Sequence, residues 1–366
     1  MSSTGAQIPM VVPGRGATVN PPNRFEALHF EPDPDVPPEE RPHPHTRFYF
    51  DATQTLLTSN DSPDVGFEVG LNCYRGCEHG CAYCFARPFH EYLGWSSGLD
   101  FETKILVKLR APELLRQELS KPRWKPQTVG MSGVTDCYQP AERHFRLTRQ
   151  CLEVFSEFRN PVAIITKSFL VTRDLDLLAE LARWSCVAVY VTITTLDAGL
   201  SGRLEPRAAR PEHRLRAVRM LADAGVPVGV LVAPVIPGLT DHEIPAILSA
   251  AAAAGASRAG KVILRLPWSV KDIFSAWLDA HAPGKKERVL SRIREMRGGK
   301  LNVSEWGKRM RGDGVFADQI HDLFTVAARR AGINQATIEL SGKNFRRPGG
   351  QLELGYGGKD ECEFET

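Results

Sequence analysis

From Asn72 to Gly94 the chain reads NCYRGCEHGCAYCFARPFHEYLG, and its cysteines decide what the rest must support. Cys77, Cys81 and Cys84 are spaced C-x3-C-x2-C. Thiolates that close together in one loop can wrap a single metal centre, and cysteine thiolates are the ligands of iron–sulfur clusters. A four-iron cubane held by three cysteines leaves one iron without a protein ligand. Such an open position is what separates catalytic from structural metal sites. Cys73 lies four residues upstream, so four cysteines fall within twelve residues, and a closed four-cysteine zinc site is the alternative. Zinc sites of that type usually set two C-x2–4-C pairs on separate turns. Here one run holds all four and no second pair follows. A disulfide framework suits small secreted domains, not 366 residues with eight cysteines.

Composition narrows the class without naming a partner. At 42% hydrophobic and 24% charged residues the chain is an ordinary globular protein with material for a large core. A formal charge of +3 is too small to select a polyanionic ligand. Residues 1–45 carry many prolines (PPNRFE, EPDPDVPPEERPHPH) and few large apolar side chains, a composition that cannot offset the entropy of ordering. They are expected to form an extended or partly disordered arm. No apolar run reaches the roughly 18 residues of a membrane span and no signal-peptide h-region is evident, so a cytoplasmic protein without membrane contact is expected.

Downstream of Val65, short apolar runs alternate with helical patterns. Candidate strands are Val65–Leu71, Thr128–Ser132, Pro161–Thr166, Val187–Thr194, Val226–Val235 and Lys261–Leu266. Several are β-branched and nearly all apolar, as for parallel strands buried on both faces. Amphipathic stretches begin at Ala111, Glu142 and Pro211. The last has proline at its start, Gly225 just past its end, and Leu215, Val218, Leu221 and Ala222 at helical spacing, the marks of a helix with one buried stripe. Six strands with crossovers predict an α/β fold, a partial (β/α)6 TIM-type barrel with a helical C-terminal extension. The expected divisions are the arm at 1–45, the barrel at 46–267, and the extension with a Gly-rich tail at 268–366. In such folds the site gathers at the C-terminal ends of the strands.

The extension has its own signal. Lys285 to Arg311 holds ten Lys or Arg against three Glu, a local net charge of +7, with Trp268, Trp277 and Trp306 nearby. A basic stretch with aromatics suits a DNA or RNA backbone and its bases. The plainer reading is a solvated helix face over a core stripe of Val289, Leu290, Ile293 and Met296. Cys151 and Cys186 read as core, and Cys362 in the acidic tail as an exposed thiol.

The three-cysteine spacing, with Tyr83 just before its last member, resembles the signature of radical S-adenosylmethionine (SAM) enzymes. In that family the open iron is chelated by the amino and carboxylate groups of SAM. The resemblance implies SAM contacts at successive strand ends: Thr135 and Asp136 toward the amino group, Lys167 toward the carboxylate, and Thr192 and Thr194 alternating onto one face. It further implies Glu205 and Arg214 at the ribose or carboxylate and Ala233 against the adenine. The family's usual Gly-Gly-Glu run is absent after the second strand, and the ordinary role of any single Thr there is capping or solvation. Together CEHGCAYCFARPFHEYLG, SGVTDCYQPAE, ITKS, TTLD, LEPR and APVIPGLTD resemble the spore photoproduct lyase-like, DNA repair photolyase-related subgroup, over about Phe67 to Pro267. That resemblance implies a [4Fe–4S] cluster, reductive cleavage of SAM to a 5′-deoxyadenosyl radical, and hydrogen-atom abstraction from a nucleic-acid base or lesion. It also implies a flavodoxin- or ferredoxin-type electron donor and a cysteine that returns a hydrogen atom, for which Cys137 is the candidate. The competing functions are a radical SAM enzyme for a peptide or small metabolite and a non-catalytic, zinc-stabilised nucleic-acid-binding module.

Overall fold

The computed structural model describes residues 12–21, 23–25 and 45–348. The first half of the chain forms β1 (Arg47–Phe50), β2 (Leu57–Ser59), β3 (Val69–Leu71), β4 (Tyr74–Arg75), α1 (Leu99–Thr103), β5 (Lys104–Val107) and α2 (Ala111–Ser120). Next come β6 (Val129–Met131), α3 (Glu142–Phe145), α4 (Leu147–Phe158), β7 (Val162–Thr166), α5 (Leu175–Arg183) and β8 (Val187–Thr192). The remainder forms α6 (Ala198–Leu204), α7 (Pro211–Asp223), β9 (Val228–Val235), α8 (Ile244–Ala253), β10 (Arg258–Ile263), α9 (Val270–His281), α10 (Lys286–Glu295) and α11 (Val315–Arg330).

One seven-stranded sheet runs β10-β9-β8-β7-β6-β3-β2. Its strands from β3 to β10 pair in parallel, and β2 closes the far edge antiparallel to β3. Val69, Val129, Val162 and Val187, the first residues of β3, β6, β7 and β8, lie in one continuous row, so these strands start at a common level, with β7 and β8 running on past the ends of β3 and β6. β10 and β2 do not pair, and the barrel stays open on one side. The six expected strands are all present, five of them trimmed at their ends and the sixth shifted three residues toward the N-terminus, from the expected Lys261–Leu266 to Arg258–Ile263. β8 is buried at five of its six positions, which is why its sequence reads as an uninterrupted apolar run. α7 begins on Pro211 and is followed by Gly225 at φ +73°. Val218 and Leu221 are fully buried and Leu215 and Ala222 pack beside them.

Three features depart from expectation. A second sheet, β1-β5-β4, flanks the first. Its strands are two to four residues long, and β1 is largely exposed, so no period marks them in the sequence. The chain after Pro267 is not an appendage either. Ile320, Phe324 and Ala328 of α11 belong to the main core, while Trp277, Val289, Leu290 and Ile293 share a second core with Cys81, Tyr83, Leu200 and Leu204. The expected boundary there is not a packing boundary. Trp277 is fully buried and donates to the Arg203 carbonyl at 2.9 Å, so it offers no stacking face.

The third departure lies in the arm. Ala17 and Thr18 are buried, and the backbone N–H groups of Gly16 and Ala17 donate to the two carboxylate oxygens of Glu102 at 3.1 and 2.8 Å. Hydropathy misses this segment because a carboxylate and a glycine contact hold it, not apolar area. Residues 1–11, 22 and 26–44 of the expected arm, and the tail beyond residue 348 with Cys362, lie outside the described residues. Among the described residues no helix is long and apolar enough to cross a membrane.

A Cβ on Gly16 would stand 1.6 Å from the backbone oxygen of Gly80, which neither segment can accommodate without moving. Gly16→Ala is expected to destabilise the protein by about 1–3 kcal/mol, the usual range for overpacking. Thermal melts of the two proteins check this, and an unchanged midpoint would show that the segment is not docked.

Candidate active site

The cysteine loop leaves the sheet just after β3 and is pinned along its length. Thr135 Oγ1 and Gln139 Nε2 both donate to the Gly76 carbonyl, at 2.6 and 3.1 Å. Gln139 Oε1 accepts from the Glu78 N–H at 2.9 Å. Arg87 is fully buried, and its Nε and Nη2 donate to the Cys81 carbonyl at 3.0 and 2.8 Å. The Ala82 N–H reaches the Leu204 carbonyl at 3.0 Å. Loops held at so many points present their side chains in one arrangement.

Within that frame Cys77 and Cys81 are buried and Cys84 half-buried, all three as free thiols. Burial pushes the Cys77 thiol well above its usual range, and the nearby charges of Asp136, Cys81 and Cys84 push the same way. Burial also raises Cys81 to about 12, with Lys167 pulling back and Glu205 adding to the rise. Buried thiols like these ionise when a metal centre supplies the positive charge, because metal ligation requires the thiolate. Cys73 is not one of the group. Its Sγ lies 3.7 Å from that of Cys151 in the main core. Among the described residues no three His, Cys, Asp or Glu side chains converge on a single-ion site.

Beside the loop, several of the residues expected to contact SAM come together. Tyr83 Oη donates to Glu205 and lies 3.1 Å from Thr194 Oγ1. Thr194 Oγ1 reaches Glu205 Oε1 at 2.7 Å and the Ala233 carbonyl at 3.1 Å. Arg214 is ion-paired with Glu205 and donates to the Thr192 carbonyl at 3.0 Å. The Lys167 ammonium sits 5.7 Å from the centre of the Tyr83 ring. Burial would raise the Glu205 carboxyl, but the charges of Arg214 and Lys167, with hydrogen bonds from Arg214 and Tyr83, outweigh it and hold Glu205 at about 2.

The second strand end is arranged otherwise. Burial would raise the Asp136 carboxyl, yet His79, the Lys167 N–H and Thr166 Oγ1 hold it at about 2. Its oxygens accept from Thr166 at 2.7 Å and Lys167 at 2.8 Å and face His79 Nδ1 at 3.3 Å. Asp136 and Thr135 are thus engaged in fixing the loop itself. Cys137 is 1% exposed in the main core, with its N–H on Ser132 Oγ at 3.0 Å, away from the loop thiols' own apolar groups. Reasoning from sequence missed Arg87, Glu102 and Gln139. No period or spacing in the sequence marks them.

The radical SAM superfamily profile matches residues 71–251, from the end of β3 through most of α8. The chain belongs to the radical SAM superfamily. Radical SAM enzymes use a [4Fe–4S] cluster and SAM, and the three loop thiols are a donor set that fits that cluster. An uncharacterized protein of Mycobacterium tuberculosis is 38% identical over 232 residues, 63% of this chain and 67% of that one. A radical SAM Nalpha-GlyT isomerase of Pseudomonas phage M6 is 27% identical over 168 residues, 46% of this chain and 33% of that one. A spore photoproduct lyase variant solved with AdoMet and dinucleoside spore photoproduct superposes with a TM-score of 0.56 at 16% identity, over 78% of this chain and 80% of that one. The radical SAM partial-barrel fold is common to both.

Two surfaces border the radical SAM loop. Past Cys84, the side chains of Phe85, Phe89 and Tyr92 are exposed, and Arg24 lies over the rings of Phe25, Tyr92 and Trp268 at 4.6, 5.4 and 4.2 Å. On the His79 side is a cavity of about 320 Å³ lined by arginine and histidine. In the basic tract Lys285–Arg311, by contrast, five of the ten basic side chains are engaged within the fold. Lys286 pairs with Asp279, Lys308 with Glu305, and Arg309 with Asp64. Arg297 is buried and donates to the Leu264 carbonyl at 2.7 Å, and Arg292 stacks on Phe316 at 3.9 Å. A charge count along the chain overstates what this tract offers a ligand.

Because Glu205 is held at about 2, against 4.5 for a free glutamate, its ion pair contributes stability that is present above pH 4.5 and is lost as pH falls toward 2. Glu205→Gln should cost about 3–5 kcal/mol at pH 7 by stranding the buried Arg214 charge, while flattening the acid limb between pH 4.5 and 2. Melting curves by circular dichroism across that window read both effects.

Proposed function

We propose that this chain is a radical SAM enzyme that abstracts a hydrogen atom from a nucleic-acid base or base lesion. The observation that carries the substrate class is the group of exposed aromatics beside the cluster loop. Phe25, Tyr92 and Trp268 are 57–65% exposed and gathered around the Arg24 guanidinium, and Phe89, 49% exposed, lies beside Tyr92. Large rings left in water at such density mark a binding surface, and every nucleobase has a π-face that such rings can stack on. The likeness of fold to spore photoproduct lyase supports this reading, since its solved complexes hold a dinucleoside photoproduct.

Bound together, the cluster and SAM supply reductive cleavage of SAM and removal of a hydrogen atom from the substrate. The protein's part is to hold and shelter. In this reading Cys77, Cys81 and Cys84 bind the cluster, Arg87 fixes the Cys81 carbonyl, and Lys167 with the Tyr83–Thr194–Glu205–Arg214 network presents fixed charges to the amino acid and ribose parts of SAM. Ala233, with no side chain beyond Cβ, leaves room for the adenine. Cys137 acts as a packing thiol rather than as the returning hydrogen donor, because its burial keeps substrate away. One-electron reduction comes from a flavodoxin- or ferredoxin-type protein.

Replacing Cys77, Cys81 or Cys84 with Ala is expected to abolish visible iron–sulfur absorption and SAM cleavage after anaerobic reconstitution, whereas Cys73→Ala keeps iron and sulfide at wild-type levels. Loss of iron in the Cys73 variant alone would overturn the ligand assignment. Trp268→Ala and Tyr92→Ala should each weaken single-stranded oligonucleotide binding about tenfold or more, at roughly 1–3 kcal/mol per stacked base. If wild-type protein binds no oligonucleotide, irradiated or plain, the substrate class is wrong.

A further inference from the structure

We propose that the cavity on the His79 side of the cluster loop is a phosphate-binding subsite that seats one backbone phosphate of the substrate strand. This rests on the nucleic-acid reading above and assigns that reading a second contact. The cavity's polar lining is Arg143, Arg207, Arg216, His79, His213 and Ser168, and no carboxylate lines it. Arg143 and Arg216 are exposed and make no ion pair among the described residues. Arg207 is tempered by Glu78 at 2.9 Å, and His79 Nδ1 by Asp136 at 3.3 Å. The cavity therefore keeps at least two uncompensated guanidinium groups, which arginine never loses by deprotonation. Planar guanidiniums grip phosphate oxygens in pairs.

The wall is built to hold still. Arg216 lies over the Phe169 ring at 5.5 Å, and the His213 ring tilts against it at 5.8 Å. The Arg207 N–H donates to the His79 carbonyl at 3.2 Å, and the Ala209 N–H to the Lys167 carbonyl at 3.1 Å. The cavity wall is thus bonded both to the cluster loop and to the end of β7. At about 320 Å³ it lies near the lower end of small-ligand sites, roughly 300–1,000 Å³, room for a phosphate and its sugar. It is distinct from the network assigned to SAM, because none of Tyr83, Lys167, Thr194, Glu205 or Arg214 lines it. Phosphate contacts fix register without reading sequence, which is what a site beside the reacting base requires.

The test uses the full chain with Arg143→Gln, Arg216→Gln and the double variant, all at exposed positions. Anisotropy with a fluorescent single-stranded oligonucleotide is measured across a salt series. The double variant should lose about tenfold or more in affinity, and its log-affinity against log-salt slope should flatten by about 0.7, the value of one phosphate on a single strand. Arg→Lys replacements should restore the slope but not the full affinity, since a point charge lacks the fork. Wild-type affinity and slope in the double variant would overturn the subsite while leaving the nucleic-acid reading intact. Loss of radiolabelled SAM binding with unchanged oligonucleotide binding would also overturn it and give the cavity to the cofactor's carboxylate. If wild-type protein binds no oligonucleotide but binds inorganic pyrophosphate in a manner dependent on both arginines, the nucleic-acid half falls and the phosphate site stands.

Discussion

A guanidinium and a carboxylate buried side by side, Arg87 and Glu102, hold the centre of this protein together. Both are fully buried, and they meet at 2.5 Å. Desolvating two charges is costly unless every remaining donor and acceptor is used, and here they are used. Arg87 also serves the carbonyls of Cys81, Ser97 and Gly98, and Glu102 also takes two N–H groups from residues 16 and 17. One pair thereby ties the cysteine loop and residues 97–102 to a segment about 85 positions upstream. Removing either partner would leave a bare charge behind the cluster loop, so the pair specifies a single arrangement of the loop more than it adds to stability.

The same economy organises the other acids. Glu205 is matched by Arg214, Glu142 by Arg173, Asp174 by Arg149 and Arg173, and Asp136 by His79. These carboxylates are consumed in pairs, while Arg143 and Arg216 stay exposed at the rim with no ion pair among the described residues. A chain with a formal charge of only +3 can in this way present a locally cationic mouth. Buried pairing of this kind decouples net charge from the field that a ligand meets.

What the sequence made legible follows from physical range. Strands β7, β8 and β9 were readable because buried parallel strands impose an apolar run on neighbouring residues. Tyr83, Thr194, Glu205 and Arg214 were legible through the radical SAM resemblance; only Thr194 lies at a strand end, just past β8, while Glu205 caps α6 and Arg214 sits within α7. Contacts of long reach were not readable. Gln139 bonds Gly76 across 63 positions, and Ala17 bonds Glu102 across 85, with no period to announce either. Within Lys285–Arg311 the ion pair of Arg309 was equally hidden, because its partner Asp64 lies 245 positions away. Trp277 shows that an aromatic near a basic run can equally be core.

The docking of Gly16 on Gly80 bears on oxygen. Chemistry that leaves an iron without a thiolate depends on keeping dioxygen out, and Cys81 is only 8% exposed with residues 15–17 in place. A proline-rich leader is the first segment an experimenter trims to improve crystals or expression. Trimming through Ala17 here would take away two of the N–H groups on Glu102 and bare the Gly80 carbonyl. The shortened protein would keep its barrel and its cysteines yet bleach faster in air, a loss easily mistaken for a defect in the cluster ligands themselves.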